Sequence, residues 1–179
     1  MSLPATLQSV LDTFDLFPDP ADRTNLLLSY ADQYRDVPPD VATRPFDKSH
    51  QVPHCESDAY VWAMKMPDGT LKLHFAVENP SGVSARALAT ILDRSLSGLP
   101  ADQIAQIDSS IVERIFRQNI SMGKGMGLMS MVEAVRALAR QSLIASPESP
   151  VSHRQTMGLD TSAQPIHPTH RLPMGERWG

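Results

Sequence analysis

Apolar residues recur at helical spacing over residues 3–16, where Leu3, Leu7, Val10, Leu11 and Phe14 share one face and predict an amphipathic helix. Asp19-Pro20 opens a second helix, with Asp placed to cap it and Pro at its first position. Leu26, Leu27, Tyr30 and Ala31 give that helix a buried side, and Pro38-Pro39 is expected to end it. A polar connection over 40–54 follows, with room for a short strand near His50 to Val52. The period then becomes two. One strand is predicted over about 59–66 and a turn at Pro67-Asp68-Gly69. In a second strand Leu71, Leu73, Phe75 and Val77 alternate with Lys72, His74, Ala76 and Glu78, giving one buried and one mostly wet face.

After Asn79-Pro80-Ser81 the helical period returns. Val83, Ala87, Leu88, Ile91 and Leu92 form a stripe that Gly98 closes. Leu99-Pro100 is read as the start of a short helix containing Ile104 and Ile107. Asp108 or Ser109 can cap the next, with Val112, Ile115 and Phe116 inward. Gly123-Lys124-Gly125-Met126-Gly127 reads as a glycine-rich turn before a last helix, whose stripe is Leu128, Met131, Val132, Val135, Leu138 and Ala139. Two helices, a small antiparallel sheet of about three strands and about four further helices make an α+β domain, with helices packed on one sheet face.

The period stops near residue 145. Residues 146–179 are rich in Pro, Ser, Thr and His, and their three arginines balance three carboxylates. They are expected to form a disordered tail to a domain spanning 1–145. The whole chain has 179 residues and a net charge of −4, all of it from the domain. A mildly acidic chain without a Lys/Arg cluster argues against nucleic acid as a partner. No apolar run approaches the ~20 residues of a membrane span. No basic stretch precedes the first apolar segment, so no secretory signal is read and a cytoplasmic protein is expected.

The chain has one cysteine, Cys55. It cannot form an internal disulfide or supply a Cys-rich metal or cluster site. Its segment is Gln51-Val52-Pro53-His54-Cys55-Glu56-Ser57-Asp58, in which Pro53 favours an extended or turning backbone just ahead of a strand. Free cysteines are often simply buried. Here the polar neighbours make a poor core segment and favour a loop tip. A reactive thiol acts as thiolate. His54 could serve it as cation or proton acceptor, Glu56 and Asp58 would oppose the thiolate, and Lys124 or Arg86 could help from elsewhere. Adjacent His54, Cys55, Glu56 and Asp58 cannot readily converge on one ion. A Cys–His protease would need a positioned distant histidine, and nothing places His50 or His74 in that role. The Gly123-x-Gly125-x-Gly127 pattern follows a helical segment, not a strand, which argues against a phosphate loop. Met122, Met126, Met129 and Met131 read as core and contact surface.

Val52-Pro53-His54-Cys55-Glu56-Ser57-Asp58-Ala59-Tyr60-Val61-Trp62 resembles the active-cysteine segment of the SufE family, the iron–sulfur metabolism associated domain. That family shows Gly-Cys-Gln-Ser before an apolar strand with an aromatic residue. Cys55 and Ser57 match, His54 stands for the Gly, Glu56 for the Gln, and Tyr60 where Trp is frequent. Gly82 to Ala89, with Arg86, is similar to the helix after the sheet. Ser121 to Leu128 is similar to the family's Ser-Pro-Ser-Arg-x-x-Gly-Leu, with Ser121, Gly127 and Leu128 matching and Lys124 at the Arg position. The similarity runs over roughly residues 5–143.

The resemblance implies a SufE/IscU-like fold and a sulfur carrier that is not an independent enzyme. Cys55 would accept sulfur as a covalent persulfide from a SufS-like cysteine desulfurase and pass it toward a SufB-like scaffold. Pyridoxal phosphate would belong to the desulfurase, with no cofactor bound here. Lys124 and His54 would act beside the thiol, and Arg86, Glu56, Ser57 and Asp58 would meet the partner. Tyr60, Trp62 and Met126 are candidate shields for the sulfur. Two alternatives stay open: a regulator that stimulates a desulfurase without carrying sulfur, and a scaffold-like protein binding metal or cluster.

Overall fold

In the computed structural model, residues 3–145 are described; the predicted tail, 146–179, lies outside the described residues. The chain folds as α1 (Ala5–Asp15), α2 (Pro20–Ala31), β1 (Ala59–Lys65), β2 (Thr70–Val77), α3 (Val83–Leu96), β3 (Leu99–Pro100), α4 (Ala101–Ile104), α5 (Ile111–Phe116) and α6 (Met122–Ile144). The three strands form one antiparallel sheet in the order β1-β2-β3. The class is α+β, as the alternation of periods predicts. No described helix is long and apolar enough to cross a membrane.

The β1–β2 register places Val61 opposite Phe75 and Ala59 opposite Val77. With Leu71 and Leu73, these side chains enter the main core, where they meet the stripes of α1, α3, α5 and α6. The opposite face is covered over part of its length, while Lys72 and His74 stay half-exposed and Met64 exposed. Val37, Val41, Ala42 and Phe46 lie across it and form a second apolar cluster with Tyr60, Trp62 and Ala76. Phe46 packs 5.2 Å from Tyr60 and 5.1 Å from Trp62, ring centre to ring centre. This layer explains two departures from expectation. Ala76 is fully buried, and α2 stops at Ala31 so that 32–47 can cross the hairpin. Arg44 pins that segment through Asp36 at 2.7 Å and Glu78 at 2.8 Å.

The third strand also differs. Residues 48–50 form one 3-10 turn, followed by an isolated bridge between Gln51 and Tyr60. Leu99–Pro100, read as a helix start, instead pairs with Thr70 and Leu71 before α4 begins. Gly98, at φ 87°, turns the chain onto the sheet and donates its N–H to the Leu71 carbonyl. Proline is tolerated because it sits on an edge.

Two constraints fix the helices. Arg23, on α2, is 1% exposed. Its guanidinium donates to the Arg114 carbonyl at 3.0 Å, the Ile115 carbonyl at 2.7 Å and the Phe14 carbonyl. These are late carbonyls of α5 and α1, the ends of helices that favour a cation. The second constraint is at the start of α6. The glycine-rich stretch is not a turn but the first turns of the helix, capped by Ser121, whose hydroxyl accepts the Lys124 N–H at 3.4 Å. A helical glycine costs about 1 kcal/mol against alanine. At Gly127 it permits contact: a Cβ there would lie 2.8 Å from the His54 carbonyl oxygen and 3.1 Å from the Cys55 Cα.

Replacing Arg23 by Met keeps bulk but removes the donors from three carbonyls. Urea unfolding should report a loss of about 3 kcal/mol, with the slope unchanged; a loss within the error of the fit would show that the guanidinium does not hold α1 and α5. Gly127→Ala should lower stability by about 1–3 kcal/mol through overpacking and speed alkylation of Cys55. At Gly123 a Cβ would meet only the Glu56 Oε1 at 3.5 Å, so Gly123→Ala should be neutral or slightly stabilising. Equal effects of the two alanines on the unfolding midpoint would contradict the packing assigned to Gly127.

Candidate functional site

Cys55 sits in the loop 53–58 that delivers the chain into β1. The root of the loop is rigid. Val52 is buried and donates its N–H to the Ala59 carbonyl at 2.8 Å. The Glu78 N–H reaches the Asp58 carbonyl at 3.2 Å, and the Asn79 N–H the Ser57 carbonyl at 3.2 Å. Inside the loop the Asp58 N–H closes back on the Cys55 carbonyl at 3.1 Å. His54 at φ 57° and Asp58 at φ 46° adopt left-handed backbone on either side of the thiol. Asp tolerates that region through its short polar side chain. His does so less readily, and it occupies the position where the resembling family carries Gly.

Two glycines seat the loop. Gly127 lies beneath the His54–Cys55 backbone, and at Gly82 a Cβ would fall 3.0 Å from the Ser57 hydroxyl. Cys55 is half-buried, packed against the main core. It opens onto a cleft of about 280 Å³ lined by Glu56, Ser57, Val83, Lys124 and Leu128, at the N-termini of α3 and α6. On its other side is a shallower cleft of about 560 Å³, lined by Lys48, Gln51, Pro53 and His54. Lys124 therefore brings a cation, on an exposed helical turn, to the mouth of the thiol's cleft.

The fold brings His54, Cys55, Glu56, Ser57, Asp58 and Lys124 together. Asp58 is exposed and accepts from the Gln51 side-chain amide at 3.2 Å. Arg86 stands apart from both clefts, with its guanidinium 5.6 Å from the centre of the Tyr34 ring. Tyr60 and Trp62 cannot shield Cys55, because strand alternation turns them into the second apolar cluster. Shielding comes from Gly127 and Leu128 instead, while Met126 stays exposed. His50 is held by a contact of its Nδ1 with the Val61 carbonyl at 3.1 Å and stacks on Trp62. Among the described residues no three His, Cys, Asp or Glu side chains converge as a metal site would require.

Sequence reasoning alone misses Gln51, Gly82 and Gly127 as loop supports. The i, i+4 spacing of Gly123 and Gly127 is the available signal, since it marks a helix face with no side chains. Another cleft, of about 720 Å³, lies elsewhere, between residues 32–38, β2 and α3. Its charges largely satisfy one another, with Lys72 paired to Asp93 and Arg94 bonded to Gln33, and it contains no nucleophilic thiol.

The fold has known relatives. It is similar to the solution structure of a hypothetical protein from Thermus thermophilus, with a TM-score of 0.63 and 22% identity, covering 80% of this chain and 100% of that one. At that identity the likeness speaks for the fold alone. No curated protein matches the chain. The family model for SufE, the Fe–S metabolism associated domain, matches residues 8–139. That span holds the Cys55 loop, both seating glycines and Lys124, and with it the chain belongs to the SufE family, with a role in Fe–S metabolism.

Proposed function

We propose that the protein is a sulfur carrier, taking sulfane sulfur from a SufS-like cysteine desulfurase onto Cys55 and delivering it to a SufB-like scaffold for iron–sulfur cluster assembly. The observation that carries this reading is the state of the one thiol. Cys55 is half-buried at the tip of a loop whose root is tied to the sheet, between two clefts and beside Lys124. A structural cysteine has no need of such a place. A sulfur carrier needs a nucleophile that is reachable by a partner and screened from small oxidants.

The chemistry is thiol exchange. Cys55 thiolate attacks the outer sulfur of the donor's persulfide. A sulfur–sulfur bond forms at Cys55 as the one in the donor breaks. The donor's cysteine leaves as thiolate, and the outer sulfur keeps its proton, so Cys55 becomes a persulfide with no net oxidation. The pyridoxal phosphate that generates the donor's persulfide is the desulfurase's. This chain's own residues hold the thiol: Gly127 and Gly82 seat the loop, and Lys124 and Leu128 line the cleft open to the sulfur.

Intact mass spectrometry after incubation with the desulfurase and cysteine should show a gain of about 32 Da, one sulfur, reversed by reductant and absent in Cys55→Ser. A Cys55→Ser protein that still accepted labelled sulfur would remove Cys55 as the acceptor, and one that accepted none yet still stimulated the desulfurase fully would replace the carrier with a regulator. Lys124→Ala should slow transfer about tenfold, as expected for losing a cation near a thiolate, with Lys124→Arg retaining most of the rate. An unchanged rate in Lys124→Ala would remove Lys124 from the mechanism.

A further inference from the structure

The cleft between residues 32–38, β2 and α3 has main chain in its wall. Leu73 and Phe75 line it, yet both side chains are buried in the main core, so the cleft meets their backbone. The hairpin register fixes which backbone groups these are. The Met66 N–H donates to the Thr70 carbonyl and the Glu78 N–H to the Asp58 carbonyl. Even-numbered residues of β2 therefore bond to β1, and odd-numbered ones turn their N–H and C=O to the other edge. β3 covers that edge only at Thr70 and Leu71. Beyond it two side chains stand in for a strand. Ser97 Oγ accepts the Leu73 N–H at 3.0 Å, and the Tyr34 hydroxyl donates to the Phe75 carbonyl at 3.2 Å. Between them, on either side of His74, the Leu73 carbonyl and the Phe75 N–H meet no hydrogen-bond partner among the described residues.

We infer that this cleft docks an extended acidic segment of a partner protein, which adds to the free edge of β2 through the Leu73 carbonyl and the Phe75 N–H. The backbone pair identifies the occupant. An acceptor and a donor two residues apart on a strand edge match the main chain of an added strand. A small anion can use the donor but is repelled by the carbonyl. Side chains set the sign. Of the three carboxylates in the wall, Asp93 is paired with Lys72 and Asp36 with Arg44. Arg94 bonds only the neutral Gln33 amide, and Arg35 has no ion pair among the described residues. Those two cations face Asp32 alone, so the unmet charge is positive and complements carboxylates. The volume, about 720 Å³, lies within the roughly 300–1,000 Å³ of sites that enclose a drug-sized ligand. The inference is independent of Cys55 and of sulfur transfer.

Amide exchange followed by NMR tests it on the full chain. In the protein alone the Phe75 amide should exchange at least about a hundredfold faster than those of His74 and Ala76, which are paired to β1. A blocked six-residue probe alternating valine with glutamate should slow Phe75 exchange at least about tenfold, and the same probe with lysine for glutamate should bind at least about tenfold more weakly. Arg35→Glu/Arg94→Glu should reverse that preference, while Cys55→Ser should leave it unchanged. A Phe75 amide as protected as Ala76 in the protein alone would show that the edge is not free. No slowing by the glutamate probe at millimolar concentration, or equal binding of the two probes, would overturn the proposal. So would slowing of Phe75 by inorganic phosphate to the same extent, which would assign the cleft to a small anion. Phe75 protection that rises with protein concentration and no probe would assign the edge to a second copy and overturn it too.

Discussion

The site depends on one close approach. A helix can run within van der Waals contact of another backbone only where it presents no side chain, and α6 does so at Gly127. That contact decides where the Cys55 loop lies and how much of the thiol water can reach. It also explains why a helix-weakening glycine occupies position 127, early in the longest described helix. With any larger residue at 127 the loop would stand off from the helix, and Cys55 would lose the wall that half-buries it. The Ser121 cap serves the same end, since it starts the helix early enough for its second turn to pass beneath the loop.

The rest of the fold keeps that approach in register. β1 begins at Ala59, immediately after the loop, so any slip of the hairpin would move Cys55 along α6. The hairpin is clamped from both faces, by the helical core on one side and by Val37, Val41 and Phe46 on the other. A one-residue slip would exchange Val61 and Phe75 for Trp62 and Ala76 across the sheet, and neither layer has room for the other's side chains. Arg23 plays a comparable part among the helices. Its buried charge is tolerable because three carbonyls at helix ends accept from it.

Much of this was legible in the sequence where the pattern was strong. The period-two run from Leu71 to Val77 and the stripes of α3 and α6 gave the class, the hairpin and the inner face. Cys55 stood out as the lone thiol among polar neighbours, and Lys124 through the resemblance around Ser121 and Gly127. What failed to show depends on tertiary partners. Leu99–Pro100 is too short to carry a strand period and becomes one only because Gly98 turns it onto Leu71. The layer over Trp62 comes from a polar-looking connection with few apolar residues, each placed by Arg44 and Tyr34. A buried arginine reads as surface until helix ends are known to surround it. Arg86, similar in sequence to a basic residue of the family helix, lies against Tyr34 because helix rotation, not sequence position, decides which cleft a side chain meets.

The proposed sulfur transfer would set two demands on one atom, and the loop divides them between its root and its tip. At the root, bonds from Val52, Glu78 and Asn79 tie the backbone to the sheet. At the tip, between His54 and Asp58, closure rests on the bond from Asp58 to the Cys55 carbonyl together with the seat on Gly127. Both flanking residues hold left-handed backbone, which for a residue other than glycine costs about 1–2 kcal/mol. The closed position is therefore held by packing against a local conformational cost. In the proposed transfer, a partner at the rim would have to replace only that packing, and the anchored root would keep the thiol directed at the same place. A loop tied as firmly at its tip would protect Cys55 and withhold it; one without the glycine seat would offer it to every oxidant in reach.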